Sequence, residues 1–247
     1  MVQPAESDIN IPQPVNDENN GQRIEEVSNE VNTAPTRARN GFSMHFVKRR
    51  NGRDESRFWN RPCFAGYNMV AIGDSMLRSF GRKRHFIKGA SINAFGGMDL
   101  YELISILRKG SLVSDLGSPK FRRELVEGKI KIPVIEKCVK CNKCCTKDFK
   151  GKLLIAVGIN NSLHAADLPN IEINARNEYT GIQNVEGIYG LLDDTLAQLF
   201  PHANIKYAPI LATKEDGWDT SELCQKVYNE MNQQIKLRIV FRNKTFY

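Results

Sequence analysis

The chain has 247 residues, 41 % of them hydrophobic, and a formal net charge of +7. Its mean hydropathy is −0.42, and no apolar run reaches the roughly 18 to 20 residues of a membrane-spanning helix, so a membrane span is not expected. Six cysteines are too few for a disulfide scaffold, and MVQPAESDIN lacks the basic and apolar regions of a secretory leader, so a soluble, intracellular and cytoplasmic protein is expected.

Residues 1–40 are rich in Asn, Glu, Pro, Gln and Ser and carry seven acidic side chains against three arginines. Such a segment buries too little apolar surface to offset its ordering entropy, and it reads as a disordered acidic tail. Residues 41–66 reverse the sign: Lys48, Arg49, Arg50, Arg53, Arg57 and Arg61 are interleaved with Phe42, Phe46, Phe58 and Trp59. This basic, aromatic arm suits either a strap across the domain or a grip on a polyanion, with Lys48, Arg49, Arg50 and Arg53 as candidate nucleic-acid contacts.

From residue 67 to 247, short apolar runs alternate with amphipathic stretches, the pattern of a βαβ architecture. Strands are predicted over 69–73, 85–89, 152–158, 205–211 and 237–241. Helical faces are predicted from Leu100, Leu103, Ile104 and Leu107, from Ile188 through Leu199, and from Leu223, Val227, Met231 and Ile235. The expected fold is α/β, three-layered, with a mostly parallel five-stranded sheet whose sites form at the carboxyl ends of the strands.

The first predicted strand runs into Gly73-Asp74-Ser75. A serine between a strand and a helix suits two roles: an N-cap, or a nucleophile whose own N–H steadies the oxyanion it creates. Two later segments end strands in a related way. Gly96-Gly97 precedes the helix that begins near Leu100, and Gly158-Ile159-Asn160-Asn161 follows the apolar run LLIAV.

The insertion at about 120–152 holds eleven Lys or Arg against four acids, an excess equal to the net charge of the whole chain. It also holds Cys138, Cys141, Cys144 and Cys145, a spacing that makes zinc a candidate cofactor. A zinc site normally joins separated segments. The fourth ligand is then either Cys145, adjacent to Cys144, or a group elsewhere such as Cys63 or a histidine. The other reading is a lysine-rich loop with incidental or redox-active thiols.

Taken in order, GDS, then GG before a helix, then GINN after a strand resemble the SGNH, or GDSL-type, hydrolases. That resemblance implies a flavodoxin-like sheet and hydrolysis of a small acyl ester with no required cofactor. It also implies Ser75 as nucleophile, Gly97 (or Gly96) as oxyanion-hole glycine and Asn160 as oxyanion-hole asparagine. Where the family usually has Gly-x-Asn-Asp, this chain has Asn161 in the last place.

The family's closing Asp-x-x-His block has no counterpart among His45, His85, His164 and His202; Asp216-Gly217-Trp218-Asp219 is its nearest imitation, and His164 lies closest in sequence to the GINN motif. The expectation is therefore a hydrolase-like domain that is truncated or catalytically impaired. The alternative is a nucleic-acid-associated or assembly protein on the same scaffold. In layout the chain is similar to esterase-containing first reading frames of some animal non-LTR retrotransposons and to related viral proteins.

Overall fold

The computed structural model of the chain describes residues 43–47, 59–77, 87–163, 184–210 and 222–244. The acidic tail and the arm cations Lys48, Arg49, Arg50 and Arg53 lie outside the described residues.

The fold is mixed α/β around a parallel sheet. Its strands are β1 (Ser43–Val47), β2 (Met69–Gly73), β3 (Ala90–Phe95), β4 (Lys152–Ala156) and β5 (Asn204–Tyr207), in the order β1-β3-β2-β4-β5. Gly73, the last residue of β2, pairs with Ala94 of β3 and Ala156 of β4, so these three strands end side by side. Alternation sets the two faces. Val70, Ile72, Leu153, Ile155, Ile205 and Tyr207 join the main core, while Ala71, Ile92, Ala94 and Ala156 form a smaller cluster on the other face.

The helices are α1 (Leu100–Lys109), α2 (Pro119–Val126), α3 (Ile159–Leu163), α4 (Val185–Leu199) and α5 (Glu222–Lys244). Helix α1 starts where a capping box permits it. The Asp99 carboxylate accepts from Glu102 N–H at 2.9 Å, Glu102 Oε2 accepts from Asp99 N–H at 3.0 Å, and Gly110 ends the helix at φ 81°. Ser118 caps α2 ahead of Pro119, and Asn184 caps α4 by accepting from Gly187 N–H at 2.8 Å. The stripe read from Ile188 to Leu199 is the buried face of α4, with Ile188, Leu192, Thr195, Leu196 and Leu199 all enclosed.

Two predicted strands are corrected. Residues 237–241 are the continuation of α5, because no Gly or Pro interrupts residues 222 to 244 and the helical period carries on past the buried Val227, Met231 and Ile235. The helical path also places Arg238 where its Nε donates to Asp193 of α4 at 2.6 Å, with its guanidinium 4.8 Å from the Tyr189 ring centroid. Around 85–89, Ile87 is exposed and Gly89 turns at φ 74°, so the strand begins only at Ala90. The small and polar residues of ASINAF have weak strand propensity. Tertiary pairing overrides it: Asn93 Nδ2 donates to Ser91 Oγ at 3.1 Å and to the Ala71 carbonyl at 3.3 Å.

The lysine-rich segment is packed into the domain. Ile132, Cys138, Cys145 and Phe149 are part of the main core, while Lys131, Lys137, Lys140, Lys143, Lys147 and Lys150 are exposed. A surface depression of about 460 Å³, lined by Tyr67, Asn68, Lys150 and Lys152 among others, lies at the amino ends of β2 and β4, away from the GDS, GG and GINN motifs.

Candidate functional site

In a parallel sheet of this order, the crossover after β2 leads to β3 on one side and the chain after β4 leads to β5 on the other. The carboxyl ends of β2 and β4 therefore flank the switch point at which open α/β sheets form their binding crevice. The three sequence motifs meet there. Ser75 opens a 3-10 turn, Ser75–Leu77, directly after β2; Gly97 lies in the turn after β3; Asn160 lies in α3 after β4.

Hydrogen bonds stitch these ends together. Asp74 is fully buried; its Oδ1 accepts from Met76 N–H at 2.9 Å and its Oδ2 from Gly158 N–H at 3.3 Å, joining the β2 and β4 loops. Asn160 Nδ2 donates to the Met98 carbonyl at 2.8 Å, and Asn161 Oδ1 accepts from Leu100 N–H at 3.0 Å, joining the β4 and β3 loops. An asparagine at 161 thus still supplies an acceptor to the start of α1. Gly97 holds φ 77°, a conformation that favours glycine and lets the chain turn sharply between Phe95 and the capping box.

The capping role weighed for Ser75 falls instead to Asp74, whose carboxylate takes the Met76 N–H, and Ser75 is left exposed at the edge. The aspartate of GDS thus holds the strand ends together, a structural role that its position in the motif alone does not reveal. Its signal was an acid with no charged neighbour inside an apolar strand end.

Burial pushes the Asp74 carboxyl up to about 6 from an ordinary 3.8, against the lowering effect of the N–H groups of Met76, Gly158 and Ile159. Between those two values the folded chain keeps a proton that the unfolded chain has lost. Stability from this group is therefore full below about pH 4 and falls as pH rises through about 6, by about 2–3 kcal/mol in all. Substituting Asp74→Asn removes the titration, so the wild-type minus variant difference in urea-unfolding free energy will fall between pH 4 and 7. A difference that stays constant over that range refutes the assignment.

Among the histidines, His202 is exposed in the turn before β5 and so lies at the opposite, amino-terminal edge of the sheet. His45 falls within β1, whereas His85, His164 and the Asp216–Asp219 segment lie outside the described residues.

The thiols gather at a second place. The Sγ atoms of Cys63, Cys138, Cys141 and Cys145 all lie within 4.8 Å of one another, close enough to hold a metal ion. This corrects the predicted set: Cys144 is exposed and outside the cluster, and Cys63 takes its place. Cys144 and Cys145 are adjacent along the chain, and only Cys145 turns inward. Its sulfur accepts from Phe64 N–H at 3.5 Å. Beside the cluster Arg61 is 5 % exposed, its guanidinium donating to the carbonyls of Leu107 at 2.7 Å and of Glu136 and Lys137 at 3.4 Å.

No family model and no curated protein matches the chain. Among solved structures, one of a candidate platelet activating factor from Streptococcus pneumonia is similar at 15 % identity and a TM-score of 0.37, over 68 % of this chain and 60 % of that one. At that level the likeness identifies neither a shared fold nor an activity.

Proposed function

We propose that the domain is a serine hydrolase of the SGNH type that takes an acyl group from a small carboxylic ester onto Ser75. One observation carries the reading: Ser75 and Asn160 flank the switch point of the sheet, with Gly97 on the adjoining strand end. In this reading Ser75 Oγ adds to the ester carbonyl carbon as its proton passes to a general base. His164, closest in sequence to the GINN motif, is the candidate, and that base returns the proton to the departing alkoxide. The developing oxyanion is met by the backbone N–H groups of Ser75 and Gly97 and by an Asn160 Nδ2–H. Collapse expels the alcohol; water then cleaves acyl-Ser75, releasing the acid and restoring the hydroxyl.

The stitching of the three loops supports such a role, because donors act best when they are fixed before charge develops. The amide of Asn160 has two N–H groups, and the bond to Met98 leaves its orientation set while a second donor remains on the same nitrogen. His202 is on the wrong edge to serve as base, so His164 is the next residue to substitute. The polyanion-binding alternative draws support from the exposed lysines of the 120–152 segment. They lie on a different part of the chain from the strand-end motifs and leave those motifs unexplained.

Treatment of the purified chain with a fluorophosphonate, beside a Ser75→Ala variant, tests the reading. A covalent adduct mapped by mass spectrometry to the Ser75 peptide and absent from the variant is the expected result. No adduct, or equal labelling of Ser75→Ala, overturns it.

A further inference from the structure

We propose that Cys63, Cys138, Cys141 and Cys145 bind a single zinc ion as four thiolates, clasping the segment before β2 to the lysine-rich loop. This inference goes beyond the hydrolase reading and does not depend on it.

The sulfurs are already gathered. A tetrahedral site with Zn–S bonds of about 2.3 Å has its sulfurs about 3.8 Å apart, so four Sγ atoms within 4.8 Å need only a small contraction. An iron–sulfur cluster, with its inorganic sulfides between the metals, spreads its cysteines more widely and does not fit this grouping. Soft thiolates in a closed tetrahedral set suit zinc, and with all four positions filled by protein the ion is structural.

The backbone is shaped around the thiols. The Cys138 N–H donates to the Lys143 carbonyl at 2.9 Å, the Asn142 N–H donates to the Cys138 carbonyl at 2.8 Å, and Asn142 adopts φ 55°. This tight turn brings Cys138 and Cys141 to one side. The fourth sulfur comes from a distant part of the chain, Cys63, which gives the ion two segments to join.

Charge provides an independent argument. The buried Arg61 guanidinium is bonded to three carbonyl oxygens, and among the described residues it makes no ion pair with a carboxylate. A cation buried without a counter-charge is costly. Four neutral thiols supply none, and four bare thiolates in contact repel one another. Four thiolates around a divalent ion retain a net negative charge next to Arg61 without that repulsion. The Phe64 N–H aimed at Cys145 Sγ is the kind of donor that a metal-bound thiolate attracts.

The test uses the full chain purified under reducing conditions without chelator, with metals measured by elemental mass spectrometry. One zinc per chain is expected, retained in Cys144→Ser and lost in Cys63→Ser. Because Cys63→Ser can also unfold the chain, the wild type is separately stripped and titrated with Co(II), which is expected to give intense sulfur-to-cobalt charge transfer and the visible bands of a tetrahedral four-sulfur site, saturating at one equivalent. Iron in place of zinc, loss of metal from Cys144→Ser, full zinc in Cys63→Ser, or no charge-transfer band overturns the proposal. The fluorophosphonate result is read on a different residue, so either proposal can fail without the other.

Discussion

Replacing Gly73 with alanine will cost the fold about 3 kcal/mol, near the upper end of what overpacking usually costs. A methyl at this position meets the Ala156 carbonyl oxygen well inside van der Waals contact and the Leu77 side chain at 2.7 and 2.8 Å. The side chain can move; the carbonyl cannot move freely, because it belongs to β4 and accepts the Asp74 N–H at 3.1 Å. Alanine therefore pushes β2 from β4 at the switch point, where Asp74 Oδ2 holds the Gly158 N–H. Urea unfolding reads the loss as a lower midpoint, and fluorophosphonate labelling of Ser75 falls with it if the strand ends must stay joined. Gly190→Ala in α4 is the control: nothing lies within 4 Å of the added methyl, and its midpoint is expected to hold or rise. A Gly73→Ala midpoint equal to that of wild type would show that β2 and β4 separate without cost.

Gly73 also shows how much of the molecule could be read without a structure. Local patterns set out the α/β class, strands β2, β4 and β5, and the buried stripe of α4, because strand and helix periods follow directly from which residues are apolar. Ser75, Gly97 and Asn160 could be read as strand-end residues by position alone. Their convergence at one switch point depends on strand order, which no local pattern encodes. Where long-range pairing decided the outcome, the reading failed. ASINAF has the composition of a loop, yet it is a central strand because β2 lies beside it and Asn93 bonds across to Ala71. LRIVF has the composition of a strand, yet it is helical because α5 is already running and Arg238 reaches Asp193. The thiol set was legible in part: spacing marks Cys138 and Cys141 as a pair and leaves Cys145 or Cys63 open as the fourth ligand, but the exclusion of Cys144 and the presence of both others depend on how the segment at 59–64 lies against the loop.

That contact is where the second large effect is expected. Phe64 follows Cys63 and is buried; its ring centroid lies 4.7 Å from that of Phe200 and 5.2 Å from that of Phe149. The three rings come from the segment before β2, the end of the lysine-rich loop and the end of α4, so this cluster and the thiols hold the same two segments together. Phe64→Ala removes a large buried side chain with partners on several sides, a change that costs about 3–5 kcal/mol. In a domain of this size that is a fall of roughly 10 °C in Tm. Phe64→Leu keeps most of the buried surface and loses the edge-on contact with Phe149 and the tilted one with Phe200, so its Tm falls between the two. If the thiols alone set the position of the segment, Phe64→Ala will lose little Tm in the metal-loaded chain. If the aromatic cluster positions Cys63 for the ion, Phe64→Ala will also weaken Co(II) binding, because the fourth sulfur is no longer held within reach of the other three.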